Sequence, residues 1–221
     1  AYENGYIINE ISTIPQMIEL SGHGTVRPED VMGDNTDAVQ REMIRETIRE
    51  HMRREYLLRE EGVKVLSLFF VDKVASYLEY DDDGNQVEGK FAKWFDEIYI
   101  EERNKSPMYA EILPDDPAEV RKAYFSEMKK GGVSQYVDST GATKLDDDAY
   151  DLIMRGKERL LDMAEPARFI FSHSALKEGW DNPNVFQICM MRESNSELDR
   201  RQTIGRGLRL PVRQDGTRVI D

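Results

Sequence analysis

Residues 167–212 read ARFIFSHSALKEGWDNPNVFQICMMRESNSELDRRQTIGRGLRLPV, and this stretch decides the fold. A short apolar run at 168–171 empties into the polar turn Ser172-His173-Ser174. Next come Gly179-Trp180-Asp181-Asn182-Pro183 and a second apolar run at 185–191. Last comes a polar helical stretch carrying Gln202, Gly205, Arg206 and Arg209. Apolar runs of this length, bounded by turn signals, predict buried strands of a parallel sheet. In such sheets ligands collect at the carboxyl ends of the strands, where Ser172, His173 and Ser174 are expected. Asp181 follows a glycine by two and precedes a proline by two, which places its backbone in a turn. A carboxylate there is suited to accept from sugar hydroxyls. Gln202, Arg206 and Arg209 fall at i, i+4 and i+7, one face of a helix. Two guanidinium forks and an amide on one face suit phosphate oxygens.

These residues carry a resemblance. Ser174-Ala-Leu-Lys-Glu-Gly179-Trp-Asp181-x-Pro183 resembles motif V, and Gln202-x-x-Gly205-Arg206-x-x-Arg209 resembles motif VI, of superfamily 2 helicases and translocases. Together the two strings are most similar to the restriction (Res) subunit of type III restriction-modification enzymes. The resemblance implies an α/β fold. It consists of a RecA-like parallel sheet flanked by helices, the second domain of a helicase motor, over 35–221. A small N-terminal β-hairpin region at 1–34 and a helical and loop insertion at 79–163 complete it. It further implies ATP held between this domain and a first RecA-like domain that also holds Mg2+. Arg209 is then the arginine finger, Arg206 a second phosphate contact, and Gln202 the group that positions phosphate or the attacking water. Gly179, Asp181 and Gly205 line the nucleotide. Ser172, His173, Ser174 and, after the motif IV strand, Lys73 face the nucleic-acid backbone.

Many relatives carry Thr or Asn where Ser174 or His173 falls, which bears on the role of these two residues. The implied partners are DNA, the first RecA-like domain and a methyltransferase (modification) subunit, in the cytoplasm and away from membranes. Nothing resembles a G-x-x-x-x-G-K-[ST] phosphate loop, so this chain by itself is expected neither to hydrolyse ATP nor to unwind DNA. Its first residue, Ala1, and its end at Asp221 after a hairpin's return strand suggest a piece of a longer protein. Competing readings are a repair or RNA translocase of the same class and a non-catalytic interaction module of the same shape. The Arg206/Arg209 pair argues against the module.

The composition sets bounds. The 221 residues suffice for one large or two small domains, and the net charge of −13 argues against a surface that grips nucleic acid throughout. A local basic stripe is compatible with that charge. The one cysteine, Cys189, lies in an apolar run and reads as a core residue. No metal site is expected. Acids at Asp81 and Asp83 with Gly84 imitate an EF-hand loop, but Lys90 stands where the last carboxylate belongs, so a surface turn is expected. His173 has no partner at triad or zinc spacing.

Strands are expected near 6–11, 16–20 and 25–27. A long helix is expected over 35–59, with Asp37 and Gln40 as a capping pair. Its apolar stripe reads Val39, Met43, Ile44, Ile48, Met52 and Tyr56. Its alternating Arg and Glu read as a solvated face laced with i,i+4 pairs. Residues 63–71, VKVLSLFFV, predict a central strand covered on both faces. Helices are expected from Asp72, over 91–104 and over 146–163, a strand at 123–126, and a loop or irregular hairpin over 129–145.

Overall fold

The computed structural model describes residues 8–14, 16–20, 24–27, 36–81, 83–125, 127–130, 133–136, 151–173, 182–191 and 211–219. The chain divides into two compact units, 1–39 and 40–221. In the first, β1 (Ile8–Thr13), β2 (Gln16–Leu20) and β3 (Gly24–Val26) form an antiparallel sheet in that order.

The long helix α1 (Thr36–Leu58) leads into β4 (Leu66–Phe70). A hairpin of β5 (Leu78–Tyr80) and β6 (Gln86–Glu88) follows, then α2 (Lys90–Asn104), α3 (Pro107–Ile112), α4 (Pro117–Val120) and β7 (Arg121–Tyr124). A second hairpin pairs β8 (Glu127–Lys130) with β9 (Val133–Tyr136). A π turn (Asp151–Arg155), α5 (Lys157–Leu161), β10 (Phe169–Ser172) and β11 (Val185–Met190) complete the described elements.

Strands β11, β4, β10 and β7, in that order, make one parallel sheet. This is the RecA-like α/β arrangement the sequence predicts. The strands alternate between two apolar faces, which is why 63–71 reads as nearly continuous hydrophobic sequence. Phe69, Val71, Phe169, Phe171 and Cys189 pack with Ile44, Ile48 and Met52 of α1 and Phe91, Phe95 and Ile98 of α2. Leu66, Leu68, Phe70 and Ile170 pack with Leu152, Ile153 and Leu160 on the opposite face. The first face is rich in aromatic contacts, with Phe69 and Phe171 stacked at 4.5 Å between centroids. Burial pushes the Cys189 thiol up to about 11, which fits an inert core residue.

Several expectations need correction. Residues 72–80 are a 3-10 turn at Val74–Ser76 and a strand, not a helix. The Asp72 carboxylate accepts from the Ser76 hydroxyl at 2.8 Å, and Tyr77 is buried against Phe171, which closes the turn early. The helix expected over 146–163 is broken at Gly156; of its span, 146–150 lie outside the described residues. The Gly156 N–H returns to Asp151 O at 2.6 Å, and a Cβ there would lie 3.1 Å from that oxygen. The helical and loop stretch 79–163 itself needs no correction: within it α2 packs in the main core and β7 forms an edge of the main sheet. Gln40 does not cap α1: its amide donates to Met191 O and accepts from Lys90, both at 3.2 Å. Asn35 lies outside the described residues. On α1, Val39 and Tyr56 are exposed, and the buried stripe is completed by His51 and Glu55.

Other readings hold. Asp81 accepts from the N–H groups of Asp83 and Asn85, so its carboxylate organises the β5–β6 turn. The charged face of α1 is laced with local pairs such as Glu50 with Arg53 and Arg54. It also reaches across to α2, where Arg45, Arg49 and Lys105 converge on Glu102. Burial opposes ionisation of Glu102, but the three cations outweigh it and hold its carboxyl down at about 2.

Candidate nucleotide and nucleic-acid site

The carboxyl edge of the parallel sheet is built by register. Ser172 stands beside Phe70, the Val71 N–H donates to Ser172 O at 2.9 Å, and the Met191 N–H donates to Phe70 O at 2.8 Å. Three strand ends therefore finish level. Their next residues, Asp72 and Lys73 from β4 and His173 from β10, are brought to one edge together with Ser172. Lys73 is exposed and His173 half-buried. Ser172 is fully buried, and its hydroxyl has no hydrogen-bond partner among the described residues. A buried hydroxyl is costly unless it is met by a partner.

Of the residues singled out from sequence, Lys73, Ser172 and His173 share this edge. Ser174, Gly179, Asp181, Gln202, Gly205, Arg206 and Arg209 lie outside the described residues. Their sequence neighbours are described. Segment 174–181 runs from His173, at the carboxyl edge, to Asn182 and Asn184, at the amino edge. Segment 192–210 runs from Met191, at the carboxyl edge, to Pro211 and Val212, also at the amino edge.

That amino edge holds groups the sequence reading missed. Asn184 has a φ of 69°, and its backbone O accepts from the Leu66 N–H at 2.8 Å. Its side chain grips one residue twice. Nδ2 donates to Val212 O at 2.9 Å, and the Val212 N–H donates to Oδ1 at 2.6 Å. Val212 bridges Arg218 in a tight antiparallel hairpin whose Gln214 reaches back to the domain. The Gln214 N–H donates to Gly62 O at 2.9 Å, its Nε2 to Leu161 O at 2.8 Å, and its Oε1 accepts from the Met163 N–H at 3.0 Å. Asn182, two residues before Asn184, is equally buried, yet neither atom of its amide has a partner among the described residues.

Beneath this hairpin lies a buried polar network. Glu55 accepts from Arg168 Nε at 2.7 Å and lies 3.0 Å from His51 Nε2. His51 Nδ1 lies 2.8 Å from Ser67 Oγ, which is 2.7 Å from the Gln187 amide. Burial lowers the His51 pKa and keeps the ring neutral. Burial opposes the Glu55 charge, yet His51 and Arg168 together hold its carboxyl below the usual range. A neutral ring that donates to Glu55 must accept the Ser67 proton at Nδ1. The Ser67 hydroxyl also faces Gln187 Oε1, at 2.7 Å. Lys64 is buried beside them and donates to Asp162 O at 2.8 Å and Glu165 O at 2.6 Å. Burial, then the nearby Arg168 charge, pushes Lys64 down to about 7. The one signal available in sequence was the spacing of His51 and Glu55 on α1, in step with Ile44 and Ile48.

Among the described residues, no group of His, Cys, Asp and Glu is placed to hold a metal ion. No helix among them is long and apolar enough to cross a membrane.

Comparison with known proteins supports the resemblance. No protein-family model matches the chain, and no solved structure matches it. Among curated proteins, it is 37% identical over 187 residues to the type III restriction-modification enzyme EcoPI Res subunit of Escherichia phage P1, covering 81% of this chain and 18% of that protein. It is 34% identical over 215 residues to the EcoP15I Res subunit of Escherichia coli, covering 92% of this chain and 20% of that protein. It is 35% identical over 177 residues to the StyLTI Res subunit of Salmonella typhimurium, covering 71% of this chain and 17% of that protein. The chain thus spans about a fifth of the length of each relative. Along most of its own length, this chain is a relative of the Res subunits of type III restriction-modification enzymes.

Proposed function

We propose that this chain is the second motor domain of an ATP-dependent DNA translocase, working within the Res subunit of a type III restriction enzyme. The reading is carried by two motif-like segments, 174–183 and 202–209, that flank β11 of a parallel sheet. Lys73, Ser172 and His173, gathered at the carboxyl edge of that sheet, support it. The donor set suits a nucleotide. Arg206 and Arg209 offer planar guanidinium forks to phosphate oxygens, Gln202 an amide, and Asp181 an acceptor for a ribose hydroxyl. Bound ATP with its Mg2+, the metal held by a first RecA-like domain, supplies the phosphoanhydride bond whose hydrolysis drives movement.

In this reading Arg209 neutralises charge that develops on the transferring phosphoryl group, and Arg206 holds a neighbouring oxygen. Gln202 orients phosphate or the attacking water. Gly179 and Gly205 let backbone approach the nucleotide closely. Lys73, Ser172, His173 and Ser174 lie toward the DNA backbone, with Lys73 a point charge for a phosphate. The partners are DNA, the first RecA-like domain and the modification subunit, in the cytoplasm.

The test is DNA-stimulated ATP hydrolysis by the full-length enzyme, with and without Arg209→Ala. A finger of this kind is worth roughly 10³-fold or more in rate. Collapse of hydrolysis in a folded variant supports the reading. Unchanged hydrolysis moves the finger to Arg206 or elsewhere, and a wild type without hydrolysis replaces the motor with an interaction module.

A further inference from the structure

We propose that Asn184 is a positioning residue that ties the two nucleotide-handling segments together. It lies three residues after Asp181, and the residue it grips, Val212, lies three residues after Arg209. The inference rests on the motor reading above and adds a residue to it.

The geometry selects asparagine. A φ of 69° excludes most side chains and favours Gly, Asn and Asp. Of these, only Asn offers a donor and an acceptor at once. Both are needed, because it bonds the C=O and the N–H of Val212 at 2.9 and 2.6 Å. Glycine keeps the backbone and loses both bonds. Aspartate keeps the acceptor but turns a carboxylate oxygen toward the Val212 carbonyl. The Asn184 side chain is nearly fully buried, so both bonds are shielded from water. The Asn184 backbone is fixed in turn to β4 through the Leu66 N–H.

The far end of the hairpin is held independently. Gln214 grips Leu161 and Met163 by its side chain and Gly62 by its backbone. At the other end of segment 192–210, the Met191 N–H is bonded to Phe70 O. Met191 and Val212, the residues on either side of 192–210 in sequence, are therefore held at opposite edges of the sheet, and Asn184 sets where Val212 lies. Without it, Val212 is free to shift against β4. Displacement of a catalytic group by about 1 Å costs up to about 100-fold in rate.

The experiment uses the full-length enzyme and measures kcat and KM for ATP in DNA-stimulated hydrolysis, at a temperature where each variant is folded by circular dichroism. Asn184→Gly is expected to lower kcat at least about tenfold with KM changed less than about threefold, because the arginines act in the transition state. Asn184→Asp is expected to fall between Asn184→Gly and wild type. The double variant Asn184→Gly/Arg209→Ala is expected to be no slower than Arg209→Ala alone, since Asn184 acts through the arginines. Should Asn184→Gly not fold, Gln214→Ala, which loosens the same hairpin from its exposed side, is read in the same way. A wild-type kcat in Asn184→Gly, or a loss that multiplies with that of Arg209→Ala, overturns the proposal and leaves the motor reading standing. A wild type without hydrolysis overturns the motor reading and this proposal with it, whereas an Arg209→Ala variant at full rate moves the finger elsewhere and overturns this proposal alone.

Discussion

The two edges of the parallel sheet handle polar groups in opposite ways. At the amino edge, Lys64, Arg168, Glu55 and Asn184 are all buried, and each has its charge or amide met by named protein atoms. At the carboxyl edge, Lys73 stands exposed and the buried Ser172 hydroxyl has no partner among the described residues. Charge taken out of water is expensive unless paired, so the paired groups serve architecture; the Asn182 amide, which meets no partner among the described residues, is the exception at the amino edge. In the proposed motor, the carboxyl edge is the one that faces nucleotide and DNA.

The largest effect that tests this contrast is at Glu55. Glu55→Ala strands Arg168 in the interior and is expected to cost about 3–5 kcal/mol of stability. Urea unfolding of the protein measures it, and a loss below about 1 kcal/mol would mean the amino edge is not the paired interior described here.

Lys64 gives the next effect, a dependence on pH. Its folded pKa of about 7 lies below the usual 10.5, so between these values the unfolded chain binds the extra proton. Stability from this group therefore rises as pH climbs from 7 toward 10.5 and is lowest below 7. Lys64→Met is expected to flatten the rise between pH 7 and 9.5, a change on the order of 2 kcal/mol over that window. Parallel pH profiles for wild type and variant would show that Lys64 stays charged in the folded protein.

The carboxyl edge should behave in reverse. Ser172→Ala removes a hydroxyl that bonds none of the described residues, and stability is expected to change by less than about 1 kcal/mol, in either direction. A larger loss in thermal unfolding would reveal that the hydroxyl is structural after all. The smallest stability effect is at Lys73. Lys73→Gln is expected to shift stability by less than about 0.5 kcal/mol. In the full-length enzyme it is expected to weaken DNA binding and reduce the salt slope by about 1. An unchanged slope would leave Lys73 as an ordinary solvated lysine.

Much of the carboxyl edge was legible in the sequence. Strand ends announce themselves where an apolar run meets polar residues, as at Phe70-Val71-Asp72 and Phe171-Ser172-His173. The amino edge was not. His51 and Glu55 stand in phase with Ile44 and Ile48 on α1, but a pattern that sorts residues by polarity assigns both to solvent. Arg168 was absorbed into an apolar run for the same reason. Asn184 reads as an ordinary turn residue in Asp-Asn-Pro-Asn, and nothing local foretells that it grips Val212.

The sequence by itself determined the places of β4, β10 and β11, the order of the two motif-like segments and the apolar character of the central strands. Each depends on local chemistry: the length of an apolar run, a spacing of i, i+4 and i+7, the turn habit of Gly and Pro. The tertiary structure alone decided the strand order β11-β4-β10-β7 and the early stop of the turn at 74–76. It also decided the recruitment of β7 and α2 into the core, and the pairing of Glu55 with Arg168 across 113 positions of sequence. Those outcomes turn on which distant groups satisfy a buried charge or fill a face, and no window of local sequence contains that information.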